Sequence, residues 1–368
     1  MELSLKPDFD RAVERLEAWW HCEVLDRACV QMHVARPGEH RPYPAKKHAT
    51  LRERWMDVEY HVESCLRSYE RTYYVGEAFP TYFANLGPDI CATLLGGELE
   101  FMPGTSWAEP FVDDWNDVDF TPQFERVYWD TIRKMTDLAL EVGEGKFITG
   151  LTDLHMNGDL LSAVRGREQL CLDLHDRPDE LREVIRKAGA MYPVVFDDLW
   201  NRIKAKGLGC TTWLSVYHHD RYYATSMDFA GLISPEMFQD FFLPIIVDEI
   251  EFLERSLFHL DGPTALPHLD TLLSIPKLNG IQWVFGAGNG PCTRWIEVYR
   301  RIQNAGKCAQ VIVENVEEIF TILDELPPNG LLFTGGGWGM TPDEAEALLK
   351  RIEKAGAKHA HTRIKARV

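Results

Sequence analysis

The chain has 368 residues, with 39 Lys and Arg against 57 Asp and Glu and a formal net charge of -18. Such an acidic balance argues against nucleic acid and anionic membrane surfaces as partners, because both are gripped through basic faces. No run of about 18 apolar residues marks a membrane span, and the length suits one large α/β barrel or two ordinary domains.

The first elements read as helical. Phe9, Val13, Leu16 and Trp20 recur on one helix face behind Asp8, a candidate cap. Residues 36–50 (RPGEHRPYPAKKHAT) have no periodicity and form a loop. Thr50 and Glu53 then make a capping box ahead of Leu51, Trp55, Val58, Val62, Leu66 and Tyr69. Residues 1–75 are therefore expected to be an N-terminal helical segment packed on the main fold. Between 82 and 109 the pieces YFANLGPD, ELEFM and SWAEPFV leave room for two strands, and FITGLTDL (147–154) supplies another.

The second half alternates more clearly. Runs rich in apolar and β-branched residues at 207–214, 256–262, 280–288, 308–315 and 330–337 are each followed by a helix pattern. Ser234 caps one helix, and Thr341, Pro342 and Glu344 open the last, which Gly356 closes. About eight βα units result, so the expected fold class is α/β, a (β/α)8 TIM barrel over 76–357 with an N-terminal helical extension. A Rossmann sheet lacks its fingerprint here, since neither GAGNG (286–290) nor FTGGGWGM (333–340) is a GxGxxG. Residues 358–368 are a basic tail. The eight cysteines are scattered with no CxxC pair, and the start shows no signal peptide, so a reducing cytoplasm is the expected setting.

In a barrel the chemistry gathers at strand exits. Asp153 and His155 follow the strand from 147. Trp213, Tyr217, His218 and His219 follow the one from 207, in a loop (YHHDRYY) that suits a binding cavity or an interface between copies of the chain. His259 and Asp261 end the strand from 256 and, two residues apart, point the same way. They suit two ligands on one ion, a carboxylate-oriented His, or a His in the interior beside a turn-capping Asp. Trp283, Glu314 and Trp338 lie near the last exits, and Asp228 sits just before the Ser234 cap.

MDFAGLISPEMFQDFFLPII (227–246) followed by FHLDG resembles the uroporphyrinogen decarboxylase superfamily, as do 82–101, 150–185 and 330–349. The resemblance implies a barrel and two branches of chemistry. One branch moves methyl groups between a corrinoid and a thiol with a zinc held by His-x-Cys and a further Cys. His259 stands at the histidine position, whereas Asp261 replaces the Cys and FTGGGWGM holds none. The other branch decarboxylates porphyrinogens with an arginine-rich motif near the N-terminus, which Arg27, Arg36 and Arg41 do not reproduce.

The expectation is accordingly a methyltransferase acting with a corrinoid or a small methylated substrate. Its catalytic candidates are His259, Asp261, Asp228, His218 and His219. His259, Asp261 and Glu314 are candidate ligands of a divalent metal such as zinc, and the corrinoid would be carried by a partner protein. Asp153, His155, Trp213, Tyr217, Trp283 and Trp338 are candidate substrate contacts, the aromatic walls suiting a methylated cation. The alternatives are a decarboxylase of a polycarboxylate and a non-catalytic barrel binding a ligand or a corrinoid protein.

Overall fold

Apolar runs form the strands β1 (Cys29–Ala35), β2 (Thr72–Gly76), β3 (Thr81–Phe83), β4 (Leu99–Phe101), β5 (Ser106–Ala108), β6 (Ile148–Gly150), β7 (Tyr222–Ser226), β8 (Arg255–Asp261), β9 (Gly280–Val284), β10 (Cys308–Ile312) and β11 (Leu331–Gly336) in the computed structural model. It describes residues 1–357, and the basic tail at 358–368 lies outside them. The central sheet runs β2-β1-β11-β10-β9-β8-β7, parallel throughout except for the β1/β2 pair. β3 pairs with β6 in parallel, and β4 with β5 as an antiparallel hairpin. Helices connect and cover the strands, which makes a mixed α/β fold. Among the described residues no helix is long and apolar enough to cross a membrane, and all eight cysteines are free thiols.

The N-terminal 75 residues depart from the expected helical segment. β1 lies inside them and takes an inner place in the sheet, paired with β11 from Cys29↔Leu332 to His33↔Gly336. CVQMHVA is short and interrupted by Gln31 and His33, so its pattern is weak in sequence. The predicted helix over 51–69 is also two helices, Leu51–Trp55 and Val58–Glu70. Asp57 interrupts the run by accepting the Tyr60 N–H at 3.1 Å as a new cap. ELEFM and SWAEPFV pair only with each other, so neither adds to the central sheet.

One buried ion pair fastens the N-terminal edge. Glu77, fully buried, accepts from Arg27 Nη1 and Nη2 at 2.7 and 2.8 Å and from the Val30 N–H at 2.7 Å. Arg15 on the helix Phe9–Trp20 reaches the same carboxylate at 3.4 Å and grips Asp26 with two hydrogen bonds. Gly337, just after β11, serves close packing. A side chain there would sit 2.3 Å from Val34 Cγ1 and 2.5 Å from the His33 carbonyl oxygen. Its bare backbone lets the chain leaving β11 lie against β1.

Candidate metal centre and its cavity

Parallel register puts Ser226, His259, Gln282 and Gln310 side by side on β7 to β10. Paired residues point to the same face of a sheet and their neighbours to the other. His259 therefore faces inward with Gln282 beside it, while Phe258 and Leu260 are buried on the opposite face. Two residues further, Asp261 stands at the C-terminal end of β8, and Asp228 follows the end of β7. One ligand atom from each of Asp228, His259 and Asp261 lies within 4.8 Å of the others.

The histidine is held through one ring nitrogen. Its Nδ1 lies 2.5 Å from Gln282 Oε1, and a carbonyl oxygen only accepts, so Nδ1 donates and Nε2 is the nitrogen left to face a ligand. Outer contacts of this type orient metal-binding imidazoles. Burial pushes the Asp261 carboxyl above its usual range, with the His259 imidazole opposing and the Asp228 charge adding to the rise. A cation seated between the two carboxylates would replace their repulsion with attraction.

One buried acid, Asp159, supports the cluster. Asp159, at the start of the helix Gly158–Arg165, accepts the Asp228 and Phe229 N–H groups at 2.9 and 2.8 Å and so fixes the turn that presents Asp228. Burial raises Asp159, Asp153 and Asp89, and the nearby His155 imidazole pulls each of them back. Glu249 is raised well above the carboxylate range by burial, although the Asn157 amide donates to it at 3.3 Å. His155 Nε2 is itself buried without a partner, and the ring stands edge-on to Trp213 at 5.8 Å. Trp213 also meets the His259 ring, at 6.3 Å.

Under the cluster lies a cavity of about 420 Å³. Trp213, Ser215 and His259 line it with Gln31, Gln282 and Gln310, and Thr334 closes the far side. None of the three glutamines is among the residues singled out in the sequence. The signal was a lone glutamine inside each of three apolar strands, in VQMHV, IQWVF and AQVIV. Asp159 carried no comparable mark.

Several expected site residues lie elsewhere. After Thr212 the chain turns at Ser215, where φ is 53°, and runs back so that His218 bridges Cys210 in antiparallel fashion. YHHD thus returns toward the N-terminal edge, and Tyr222 and Tyr223 begin a strand that the loop reading did not contain. His218 packs against Trp20 and lies 3.7 Å from Glu17. His219 lines a surface groove along the first helix, and Tyr217 is buried against Phe9 and Phe79. None of the three borders the cavity.

Trp283 is one residue from Gln282, so it points outward and packs on Trp295 at 5.1 Å. Glu314 sits beyond β10, two strands from β8, with its carboxylate against Gly290. It stands outside the cluster of Asp228, His259 and Asp261. Trp338 packs beside Gly335, its ring taking the space a side chain there would need, and it does not line the cavity. Arg27 is spent on Glu77, Arg36 donates to the Thr72 and Leu5 carbonyls at 3.1 Å, and Arg41 pairs with Glu70.

The fold and this cluster define an α/β protein with a candidate metal centre at the C-terminal ends of its parallel strands. Comparison with protein-family models and with curated proteins finds no match to the chain.

Proposed function

We propose that the chain is a divalent-metal enzyme on a (β/α)8-type barrel, akin to the methyltransferase side of the uroporphyrinogen decarboxylase superfamily. It would activate the acceptor or donor of a methyl group. The mostly parallel seven-stranded sheet with helices between its strands supports the barrel. The Leu151 N–H donates to the Thr211 carbonyl at 3.0 Å and ties the β3/β6 pair to the segment that leads toward β7.

The observation that carries the function is the His259 imidazole, held at Nδ1 by Gln282 and placed with two carboxylates at the strand ends. One imidazole and two carboxylates suit a borderline or hard divalent ion such as zinc or manganese, with coordination positions left for a substrate. Such an ion acts as a Lewis acid and lowers the pKa of a bound thiol or water. Asp228, His259 and Asp261 would hold it, with Gln282 fixing the imidazole and Asp159 fixing Asp228. A corrinoid is far larger than the cavity, so a partner protein would present it at the mouth. The polycarboxylate reading receives no support, because no Arg or Lys is among the residues lining the cavity.

The test is metal content and methyl transfer together. Metal-depleted protein titrated with Zn²⁺ or Mn²⁺ should take up one ion per chain, and His259→Ala and Asp261→Asn should lose it. With methylcobalamin and a small thiol, the zinc-loaded protein should form the methyl thioether, with at least a hundredfold loss in His259→Ala. Unchanged metal uptake in both variants would overturn the metal centre, and loading without thioether formation would overturn the methyl-transfer assignment.

A further inference from the structure

Away from the candidate metal centre, two thiols stand against each other at the N-terminal end of the sheet. Cys22 Sγ lies 3.5 Å from Cys308 Sγ, although 286 positions separate them along the chain. Cys308 opens β10 and is fully buried, while Cys22 follows the helix Phe9–Trp20 and is partly exposed. About 13 Å of strand separates the pair from the C-terminal end of β10. It stands independently of the metal reading.

Each cysteine is placed by contacts of its own. The helix closes as the Cys22 N–H donates to the Trp19 carbonyl at 2.9 Å, and Cys22 takes a φ of 53°. Glycine is the ordinary occupant of that left-handed position, because a Cβ is crowded there. A cysteine stands in its place, with its carbonyl accepting from Asn329 Nδ2 at 3.3 Å. Its thiol turns toward the Gly306 carbonyl at 3.4 Å, on the turn that leads into β10. From the other side Cys308 Sγ reaches the Trp19 carbonyl at 2.8 Å. Gly330 keeps the space between them clear, since a side chain there would stand 3.3 Å from Cys22 Sγ and 3.5 Å from Cys308 Cα.

The two thiols are not alike. A hydrogen bond from the Cys308 thiol pulls Cys22 below the usual thiol range against the effect of burial, and the Lys307 ammonium adds to the fall. Burial holds Cys308 well above that range. The thiolate is the nucleophile, so attack belongs to Cys22.

We propose that Cys22 and Cys308 form a peroxide-sensitive modification site, in which Cys22 is oxidised and Cys308 resolves it into a reversible disulfide. The Cys22 thiolate attacks hydrogen peroxide, and an S–O bond forms as the O–O bond breaks and hydroxide leaves. The Cys308 sulfur then attacks the sulfenic acid, the S–O bond breaks, and the departing hydroxide takes the Cys308 proton as water. Two thiols and one peroxide give one disulfide and two waters. The sulfurs close from 3.5 Å to a bond of about 2.05 Å by side-chain rotation in the space that Gly330 leaves. The bond ties the end of the helix Phe9–Trp20 to β10, and a free thiol restores the pair by exchange.

Mass spectrometry of the full native chain after graded hydrogen peroxide tests it. The product should have lost two hydrogens, a non-reducing peptide map should join the peptides carrying Cys22 and Cys308, and dithiothreitol should reverse the change. Cys22 should be consumed at least about tenfold faster than Cys65 or Cys171, which are also partly exposed but whose thiols burial raises. In Cys308→Ala the reaction should stop at a sulfenic acid on Cys22, captured by dimedone, and Cys22→Ser should leave Cys308 reduced. Should the buried Cys308→Ala variant fail to fold, the wild-type map and Cys22→Ser decide. A Cys22 that stays reduced while Cys65 or Cys171 is oxidised, a disulfide pairing Cys22 with another cysteine, or sulfinic acid on Cys22 beside a reduced Cys308 would overturn the proposal.

Discussion

Glu77 is the residue on which the N-terminal edge depends. It satisfies Arg27 through two hydrogen bonds and the Val30 N–H through a third, all out of water. Removing one member of a buried pair leaves the other charged and unsolvated, which costs about 3–5 kcal/mol. Glu77→Ala should therefore lower the unfolding free energy by about that amount in urea titrations, because Arg27 and Val30 both lose their partner. A loss under about 1 kcal/mol would mean that water replaces the carboxylate. At the opposite edge the same scale of detail decides chemistry. His259 is available to a metal because Gln282 accepts from its Nδ1, and Asp228 is aimed because Asp159 holds two consecutive N–H groups.

Strand β9 divides its work between two faces. Gln282 faces the cavity, while Trp283, one position on, is fully buried against Trp295 on the outer side. Trp283→Ala should thus destabilise the fold by about 3–5 kcal/mol, the usual cost of an emptied aromatic site. It should leave Zn²⁺ affinity within about twofold of wild type, as read by thermal unfolding and calorimetry on the same sample. If metal affinity fell with stability, Trp283 would have to reach the site. The alternation also explains why an aromatic residue near a strand exit is a poor guide to a pocket, since a shift of one residue reverses its direction.

At the scale of the whole molecule, the helix Phe9–Trp20 packs at the N-terminal edge and the candidate site lies at the C-terminal one. His218 sits between that helix and the start of β8, beside Trp20, Glu17 and Arg255. Burial, reinforced by the Arg255 charge, pulls its pKa from the usual 6.5 down to about 4. The unfolded chain binds a proton near 6.5 that the folded chain refuses until about pH 4. Stability from this group is accordingly complete above the unfolded value and is lost as the pH falls between the two. The loss is on the order of 2–3 kcal/mol. His218→Phe should flatten the acid limb of the stability profile over that window, measured as the urea midpoint against pH. An unchanged slope would place the acid sensitivity in the carboxylates instead.

Much of the organisation was legible in sequence because local chemistry fixes it. The capping box at Thr341 and Glu344 is present in full, and the runs beginning near 256, 280, 308 and 330 are strands of one parallel sheet. The two-residue spacing of His259 and Asp261 was enough to put both on one face. What sequence could not supply was which distant groups those side chains meet. Asp228 joins them only because β7 and β8 pair in parallel, and β7 was hidden inside what read as an aromatic loop. The displacement of His218, His219 and Tyr217 follows from the backbone reversal at Ser215, a conformation that its residue type does not announce. The glutamines acquire meaning only when β1, β9 and β10 are brought together, since an isolated glutamine in an apolar strand has no stated partner. Periodicity, caps and spacing act over a few residues and are written in order along the chain, whereas register, the partner of an imidazole and the lining of the cavity depend on contacts between strands, which only the tertiary structure decides.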